Sequence, residues 1–506
     1  MSVLFTNFRW WKDGSARNMR VSDDGLVTYM GRDEPFADDE IDLEGGWLMP
    51  GFVDCHCHIM PTGFDLARLD LSHWDDRRGV LRAVRHYSET IADFRGWFLA
   101  THYDQNRFED GRHLTATEID EYLSAMPVIL RHSSGHACVV NTLALKKAGI
   151  DGDTDDPRGG EIVRDDRGNA TGVLLENAME LVYRAVPKAT KEEMSDAIFA
   201  AAKSMSAFGI TSAADMMTGH QGLEDEVWAY KNAIQRGAPL RMRLYIQWSE
   251  IFKNKITAQE LEEMLRPIPE ELLAIRGVKL FADGAIGAGT AAMHEEYTTG
   301  GNGSFIYPPD ELERRVRIAD KAGFAIAIHS IGDRCTDLVL DCYEKCADPA
   351  KHRIEHVMVL SDNQIARIKS LGCKVTLQPE FLGHFETTYR RRLGDERYGV
   401  LKRAKSLDSA GVPVGLSSDR PIVPGNPWTG TLSAASRGDE SISVERGVEL
   451  YTFGAAEVDG DGALFGRLNI RQYADFQVYD RNPLEFEGNV QSVWMGGVQI
   501  NSSQPS

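Results

Sequence analysis

Residues 310–330, DELERRVRIADKAGFAIAIHS, contain the pattern that decides the fold. Apolar side chains recur on one stripe over residues 310–322, which predicts an amphipathic helix, and Gly323 is expected to end it. The apolar run FAIAIHS over residues 324–330 is typical of a buried strand. A helix followed at once by a buried strand indicates α/β architecture.

The same alternation of strands and helices extends on both sides of this stretch, from about residue 190 to residue 420. Seven strands are predicted near residues 212, 244, 280, 327, 356, 376 and 415, and an eighth is predicted at 47–54 (WLMPGFVD). Eight strands separated by helices predict a (β/α)8 TIM barrel. A doubly wound open sheet is the alternative, but no glycine-rich phosphate-binding turn follows the first strand.

The predicted barrel comprises residues 47–59 and 186–462. The connection between these parts, residues 60–185, is too long for a loop, so we predict an inserted subdomain after strand 1. Residues 1–46 and 463–506 both carry short alternating strands. We therefore predict one small β-sandwich built from both termini, because pairing the two ends covers strand edges that would otherwise be exposed.

The composition disfavours several classes of function. The 506 residues include 56 Lys+Arg and 76 Asp+Glu, a net charge of −20, which disfavours binding to nucleic-acid phosphates. Seven cysteines, an odd and sparse count, favour reduced thiols and a cytoplasmic location. The N-terminus shows no secretory pattern and no apolar run is long enough to span a bilayer, so no membrane partner is expected. The expected partners are a small-molecule substrate and, on base rates, a second copy of the chain in a homodimer.

The first chemical signal is DCHCH, residues 54–58, at the end of the first predicted strand. Residues two apart in an extended chain point the same way, so His56 and His58 can aim at one point. Two imidazoles on one face suit a divalent metal, although two ordinary polar residues at a strand end remain the alternative. Cys55 and Cys57 are expected to face away from that point.

Three further metal-type side chains follow later strands of the predicted barrel. His329 is the last residue but one of FAIAIHS, His356 is the last residue of RIEH, and Asp419 follows VPVGLSS. Barrel chemistry lies at the C-terminal ends of the strands. Taken singly, each histidine could be an ordinary core residue and the aspartate could cap a helix. Together with His56 and His58, the three residues indicate a metal centre.

A lysine inside an apolar strand is the third signal. Lys279, in VKLFADG, must be paired, neutralised or modified, because burying an isolated ammonium costs several kcal/mol. A neutral lysine amine can react with carbon dioxide to give a carbamate, an anionic ligand able to bridge two cations. An ion pair with Asp283, on the same face of the strand, is the alternative, and the residue pattern leaves both open.

Several motifs resemble the amidohydrolase superfamily, and most closely its YtcJ-like branch, which includes N-substituted formamide deformylases. The motifs lie in the expected order across nearly the whole chain and include MPGFVDCHCH (49–58), VKLFADGAIG (278–287), AIAIHSIGD (325–333), RIEHV (353–357) and GLSSDRPIVPGNPW (415–428). The resemblance implies a metal-dependent hydrolase that cleaves a C–N amide-type bond, in an N-substituted formamide or another N-acyl compound. A cyclic-amide hydrolase, a deaminase and a non-enzymatic barrel scaffold are the alternatives.

The resemblance also implies a site. The cofactor would be one or two divalent ions, with zinc expected from the histidine-rich ligands, and Asp419 would transfer the proton during catalysis. The implied metal ligands are His56, His58, Lys279 as its N6-carboxylate, His329, His356 and Asp419.

The substrate contacts are less well specified by the sequence. The candidates are His136 in SSGHA, Glu176, Asp283 and Trp428. A helix-capping role is the alternative for His136. Aromatic residues such as Phe381, Phe385 and Tyr389 are candidates for an apolar wall, with plain core packing as their alternative.

Overall fold

The computed structural model describes residues 1–90, 95–133, 135, 137–157, 160–485 and 488–502. The chain forms two compact units, one of Met1–Thr62 with Lys191–Ser506 and the other of Gly63–Thr190. No helix in the described ranges is both long enough and apolar enough to cross a membrane.

The strands of the described ranges fall into three sheets. In chain order they are β1 (Val3–Trp10), β2 (Ala16–Val21), β3 (Val27–Gly31), β4 (Asp39–Asp42), β5 (Trp47–Pro50), β6 (Phe52–Cys57), β7 (Leu69–Asp70), β8 (Phe98–Tyr103), β9 (Val128–His132), β10 (Ala137–Val140), β11 (Gly160–Arg164), β12 (Ala170–Glu176), β13 (Ile210–Thr218), β14 (Arg241–Gln247), β15 (Leu273–Phe281), β16 (Ile326–Ser330), β17 (Arg353–His356), β18 (Lys374–Leu377), β19 (Val414–Leu416), β20 (Phe476–Tyr479), β21 (Val490–Met495) and β22 (Val498–Ser502).

Helices alternate with the strands of the largest sheet. The α-helices span Ile59–Leu66, Arg77–Tyr87, Ala116–Asp120, Thr142–Ala148, Met179–Tyr183, Lys191–Ser206, Leu223–Gln235, Trp248–Phe252, Ala258–Leu265, Pro309–Lys321, Asp333–Tyr343, Asp362–Leu371, Glu380–His384, Glu386–Gly399, Ala404–Ser409, Pro427–Ala435, Val444–Glu449 and Ala455–Asp459.

Eight parallel strands form the barrel, in the order β6, β13, β14, β15, β16, β17, β18 and β19. Main-chain hydrogen bonds then join the segment after β19 to the end of β6. The Asp419 amide donates to the carbonyl of His56 over 2.7 Å, and the His58 amide donates to the carbonyl of Arg420 over 2.8 Å. These bonds bring the last strand back to the first, and the predicted TIM barrel is confirmed.

The predicted strand over residues 47–54 is two strands in the structure. β5 pairs with β20 and β1 in the terminal sheet, whereas β6 pairs with β13 in the barrel. The chain passes between the sheets at Gly51, whose amide donates to the carbonyl of Asp475 over 2.9 Å. A Cβ atom on Gly51 would lie 2.4 Å from Oγ1 of Thr211, so the close approach at this crossing requires glycine.

The small β-sandwich predicted from both termini corresponds to a separate sheet, formed by strands from both ends of the chain. Its order is β22, β21, β20, β5, β1, β2 and β3, with β4 beside β1. Phe5, Phe476 and Trp494 pack together in its core, with ring centroids 5.1 to 5.6 Å apart. This sheet brings the two termini together on the barrel unit.

The second compact unit has its own sheet and its own core. The sheet order is β11, β12, β10, β9, β8 and β7, with β7, β8 and β9 parallel and the remaining pairs antiparallel. The aromatic side chains of Phe98, Tyr103 and Phe108 are buried in an apolar cluster of this unit. The proposed domain limits at residues 60–185 lie close to the limits of this unit, Gly63–Thr190.

Candidate metal centre

Imidazoles and a carboxylate converge at the C-terminal ends of the barrel strands. Nε2 of His58 lies 3.0 Å from Oδ1 of Asp419, and Nε2 of His56 lies 3.4 Å from the same oxygen. The ring of His356 lies 4.6 Å from the rings of both His56 and His329, centroid to centroid. One potential ligand atom each from His56, His356 and Asp419 lie within 4.8 Å of one another. Side chains from four strand ends therefore surround one point.

The outer nitrogen of each of three imidazoles has a fixed partner. Nδ1 of His56 lies 2.5 Å from Oε2 of Glu355, and Nδ1 of His356 lies 2.8 Å from Oε1 of Gln378. Donation through Nδ1 leaves Nε2 of both rings with its lone pair toward the centre. His329 is reversed, because its Nε2 donates to the carbonyl of Gly284 over 3.0 Å and Nδ1 keeps the lone pair. Imidazoles oriented by outer hydrogen bonds in this way are typical of metal ligands.

Two of the converging residues have a left-handed backbone. His356 has φ of +76° and Asp419 has φ of +60°. For residues other than glycine this conformation costs about 1–3 kcal/mol, and it persists where the surroundings enforce it, often at functional sites. The strained backbone is therefore at two residues whose side chains must point toward the centre.

Lys279 lies beside His56 and is almost fully buried. Its Nζ is 3.5 Å from Nε2 of His56 and 5.0 Å from the ring centroid of Phe281. Burial lowers the pKa of Lys279 to about 8, so much of its amine is neutral at mildly alkaline pH. Within the described ranges, no carboxylate lies at ion-pair distance from this nitrogen, and the alternative pair with Asp283 is not formed.

Asp283 shapes a loop instead of pairing with Lys279. Its carboxylate accepts the backbone amides of Ile331, Gly332 and Ala292, each over 2.9 Å. Burial raises the pKa of Asp283 to about 6, although these three amides oppose the shift. The residue proposed for substrate contact is thus buried and holds the chain around the end of β16.

The residues fit a divalent cation on their own chemistry. Oδ1 of Asp419 and Nδ1 of His58 are buried and, among the described residues, form no well-aligned hydrogen bond. Burial opposes ionisation of Asp419, but the imidazoles of His56 and His58 hold the pKa of its carboxyl well below the usual range. A buried carboxylate oxygen facing imidazole nitrogens is a set of N and O donors that zinc and similar ions accept.

An apolar wall borders the His356 side of the centre. The ring of Phe381 is stacked at 16° to that of His356, with centroids 6.4 Å apart. Phe385 packs on Phe381, and Tyr389 packs on Phe385, at 5.5 and 5.6 Å. Phe381 and Tyr389 belong to a buried apolar cluster, so core packing accounts for much of their burial.

Two other predicted substrate residues, Trp428 and Glu176, belong to different compact units of the chain. Trp428 packs against Phe52, at the opposite end of β6 from the histidines, and its Nε1 donates to the hydroxyl of Tyr479 over 2.9 Å. These contacts join the barrel to the terminal sheet, and they do not support a substrate role for Trp428. Glu176 ends β12 in the second unit with φ of +50°, and His136 lies outside the described residues.

The interleaved cysteines point away from the centre. Sγ of Cys55 lies 3.5 Å from the carbonyl of Leu416 on one neighbouring strand, and Sγ of Cys57 lies 3.4 Å from that of Ala214 on the other. Burial raises the pKa of both thiols well above the usual range, which removes them as thiolate ligands.

Sequence reasoning missed the partners of the histidines. Glu355 had a signal, since it is a charged residue inside a barrel strand and should have been treated like Lys279. No comparable signal in the sequence marked Gln378 or Lys402. Lys402 lies in a connection between strands, and its Nζ donates to Oε1 of Gln378 over 2.6 Å and to the carbonyl of His356 over 3.0 Å.

The barrel and this centre define the class of the protein, a metal-dependent hydrolase. The chain belongs to the amidohydrolase family, whose sequence profile matches residues 39–500. The predicted family is therefore confirmed, and the chain is a hydrolase.

Three similar proteins agree with that assignment. YtcJ of Bacillus subtilis (strain 168), named as an amidohydrolase, is 30% identical over 469 residues, covering 89% of this chain and 87% of its own. The N-substituted formamide deformylase of Arthrobacter pascens is 26% identical over 473 residues, covering 88% of this chain and 85% of its own. The crystal structure of an uncharacterized metal-dependent hydrolase from Pyrococcus furiosus superposes with a TM-score of 0.79 at 25% identity, covering 96% of this chain and 100% of that one.

Proposed function

We propose that this hydrolase cleaves a C–N amide-type bond, in an N-substituted formamide or another N-acyl compound. The observation that carries the proposal is the position of Asp419, whose ionised carboxylate lies within 3.0–3.4 Å of two imidazoles. Cleavage of a C–N bond needs a group that takes a proton from water and returns it to nitrogen, and a buried carboxylate at the centre suits both steps. The similarity to a protein named as an N-substituted formamide deformylase supports this substrate class.

Four histidines, His56, His58, His329 and His356, would hold the divalent cation or cations, together with Asp419. When bound, such a cation lowers the pKa of water toward 7 and polarises a carbonyl group. Asp419 accepts the proton of the attacking water as the C–O bond forms. The same carboxyl then donates that proton to the leaving nitrogen as the C–N bond breaks, so that an acid and an amine are released.

Zinc is the cation we propose, because imidazole nitrogens and a carboxylate are ligands that zinc prefers; Mn, Fe and Co suit the same donors. We also propose that Lys279 is carboxylated on Nζ. Its neutral amine forms a bond to the carbon of carbon dioxide and loses a proton to solvent. The support is chemical: the amine is buried beside His56, its pKa is lowered to about 8, and it lacks a carboxylate partner among the described residues.

The test is a hydrolysis screen with metal-free protein loaded separately with Zn, Mn, Fe or Co. N-formyl, N-acyl and cyclic amides are offered, and formate, other carboxylates, amines and ammonia are quantified. We expect release of a carboxylate and an amine in equal amounts from the wild type, and strongly reduced release of both from Asp419→Asn.

The alternatives give different products in the same screen. Ring opening without release of an amine would identify a cyclic-amide hydrolase, and ammonia as the sole nitrogen product would identify a deaminase. A chain that binds no cation and turns over none of these compounds would be a scaffold.

A further inference from the structure

The side-chain amide of Gln378 lies between His356 and a lysine from a distant connection. Oε1 of Gln378 is 2.8 Å from Nδ1 of His356 and 2.6 Å from Nζ of Lys402. Lys402 also donates to the backbone carbonyl of His356 over 3.0 Å. All three side chains are at most 2% exposed, so water does not replace these bonds.

The orientation of this amide follows from the hydroxyl on its other side. Oγ of Ser417 donates to the carbonyl of Leu377 over 3.2 Å, which uses its only proton. Toward Gln378, 2.9 Å away, the Ser417 hydroxyl must therefore accept, and Nε2 of the amide must face it. The amide oxygen is then left to face His356 and Lys402.

That orientation fixes the protonation of the imidazole. An amide oxygen can only accept, so Nδ1 of His356 must carry the proton and Nε2 must keep the lone pair that faces the centre. A flipped amide would present Nε2–H to Nδ1 and would place the proton on the metal-facing nitrogen. The donor Lys402 opposes the flip, because it would then face an N–H group.

The placement of Lys402 beside Gln378 is energetically unfavourable in two respects, its burial and its backbone conformation. It is 1% exposed, has φ of +55°, and within the described part of the chain has no carboxylate at ion-pair distance. Its Nζ lies 5.3 Å from the ring centroid of Phe381, the ring that also stacks on His356. Burying a lysine that has no ion-pair partner among the described residues is unfavourable, so a purely structural role would be better filled by an apolar residue.

We propose that Lys402 is a positioning residue for the metal centre, acting through the amide of Gln378 to keep His356 in the tautomer that binds the cation. The inference rests on the metal site of the proposed function but not on its substrate. Groups that orient a metal-binding histidine contribute about 10- to 100-fold to metal affinity.

The experiment measures the metal dissociation constant by chelator competition with zinc and, separately, with cobalt. Lys402→Met keeps the length of the side chain and removes the donors; we expect it to weaken binding by about 10- to 100-fold. Gln378→Leu should weaken binding to a similar degree. Lys374→Met is the matched control, because Lys374 lies at the other end of β18 and its Nζ donates to the carbonyl of Val458 over 3.3 Å. It should bind as the wild type does.

A double-variant cycle separates positioning from general loss of structure. If Lys402 acts through Gln378, Lys402→Met should weaken metal binding little further in the Gln378→Leu background. If the two substitutions damage the structure independently, their fold losses of affinity should multiply. Lys402→Arg, which keeps the donors, should recover part of the affinity, and thermal unfolding of each metal-free variant reports folding.

Three outcomes would overturn the inference: wild-type affinity in folded Lys402→Met, fully multiplicative effects in the cycle, or equal loss in Lys374→Met. If Lys402→Met does not fold, Gln378→Leu and Lys402→Arg decide the matter in the same assay. If metal affinity depends on Lys402 and Gln378 as expected but no amide is cleaved, the proposed function is contradicted and this inference stands.

Discussion

Oε2 of Glu355 lies 2.5 Å from Nδ1 of His56, and both side chains are fully buried. Two groups hold the carboxylate in place: Arg353 donates to both of its oxygens over 2.5 and 3.0 Å, and Thr376 donates to Oε2 over 2.5 Å. The negative charge therefore lies behind the imidazole, where it strengthens Nε2 as a metal ligand and fixes the direction of the ring.

We expect Glu355→Gln to weaken metal binding by about 10- to 100-fold, because the amide carries no charge and must turn its N–H groups toward Arg353 or His56. The metal dissociation constant, measured by chelator competition, checks this. Asp459→Asn is the control: Asp459 accepts from the same Arg353 over 2.5 Å but does not contact His56. Equal losses in the two variants would show that the arginine network, and not the contact to His56, supports the metal.

Asp419→Asn should lower turnover by about 100- to 10,000-fold, because an amide cannot take a proton from water and return it to nitrogen. Folding should survive, since asparagine tolerates φ of +60° and has nearly the same size and shape as aspartate. Steady-state kinetics and the thermal midpoint of the metal-free variant test both parts. Turnover within tenfold of wild type, at equal metal content, would assign the proton transfer to another group.

Much of the centre could be predicted because of one geometric rule. The C-terminal ends of parallel strands meet at the same edge of a barrel, so residues from distant segments come together once the strands are assigned. His329 and His356 needed only the assignment of β16 and β17, the strands that carry them near their C-terminal ends. The helix predicted over residues 310–322 is found at Pro309–Lys321, and Gly323 follows it with φ of +86°.

What the sequence could not provide are contacts set by the path of the chain. The apolar run 47–54 looks continuous, but Gly51 allows the backbone to pass close to Thr211 and leave one sheet for another. Lys402 reaches Gln378 across 24 residues because the connection before β19 folds back over the centre. No periodicity marks either feature, since both depend on close packing between segments that are not neighbours in sequence.

Lys279→Ala should lose both metal content and turnover if Lys279 is a bridging carbamate. Added short carboxylic acids should restore part of the turnover, because they supply the missing oxygen ligands to the cavity that the truncated side chain leaves. The metal content of Lys279→Ala and its initial rates with and without acetate or propionate are measured. Lys374→Ala, treated with the same acids, is the control, and full metal content without any rescue would indicate a single-metal site that needs no carbamate.

The last prediction concerns Glu226, a buried carboxyl on the helix Leu223–Gln235 whose oxygens accept the backbone amides of Gly219 and Gln221. Burial raises its pKa from 4.5 to about 8, against the effect of those two amides. Between these two pH values the folded chain keeps the proton and the unfolded chain releases it. The free energy of unfolding should therefore fall as the pH rises through this window, with a contribution of about 1.4 kcal/mol per pH unit from this one group.

Glu226→Gln should remove that contribution, because the amide does not titrate; any constant cost of placing an N–H group against the two backbone amides shifts the whole curve without changing its slope. Urea unfolding of the metal-free chain between about pH 5 and pH 8 measures the slope for each variant. Glu224→Gln, exposed on the same helix, should keep the wild-type slope. If the slopes of wild type and Glu226→Gln coincide, then Glu226 is already ionised in the folded chain, and the two amides outweigh the cost of its burial.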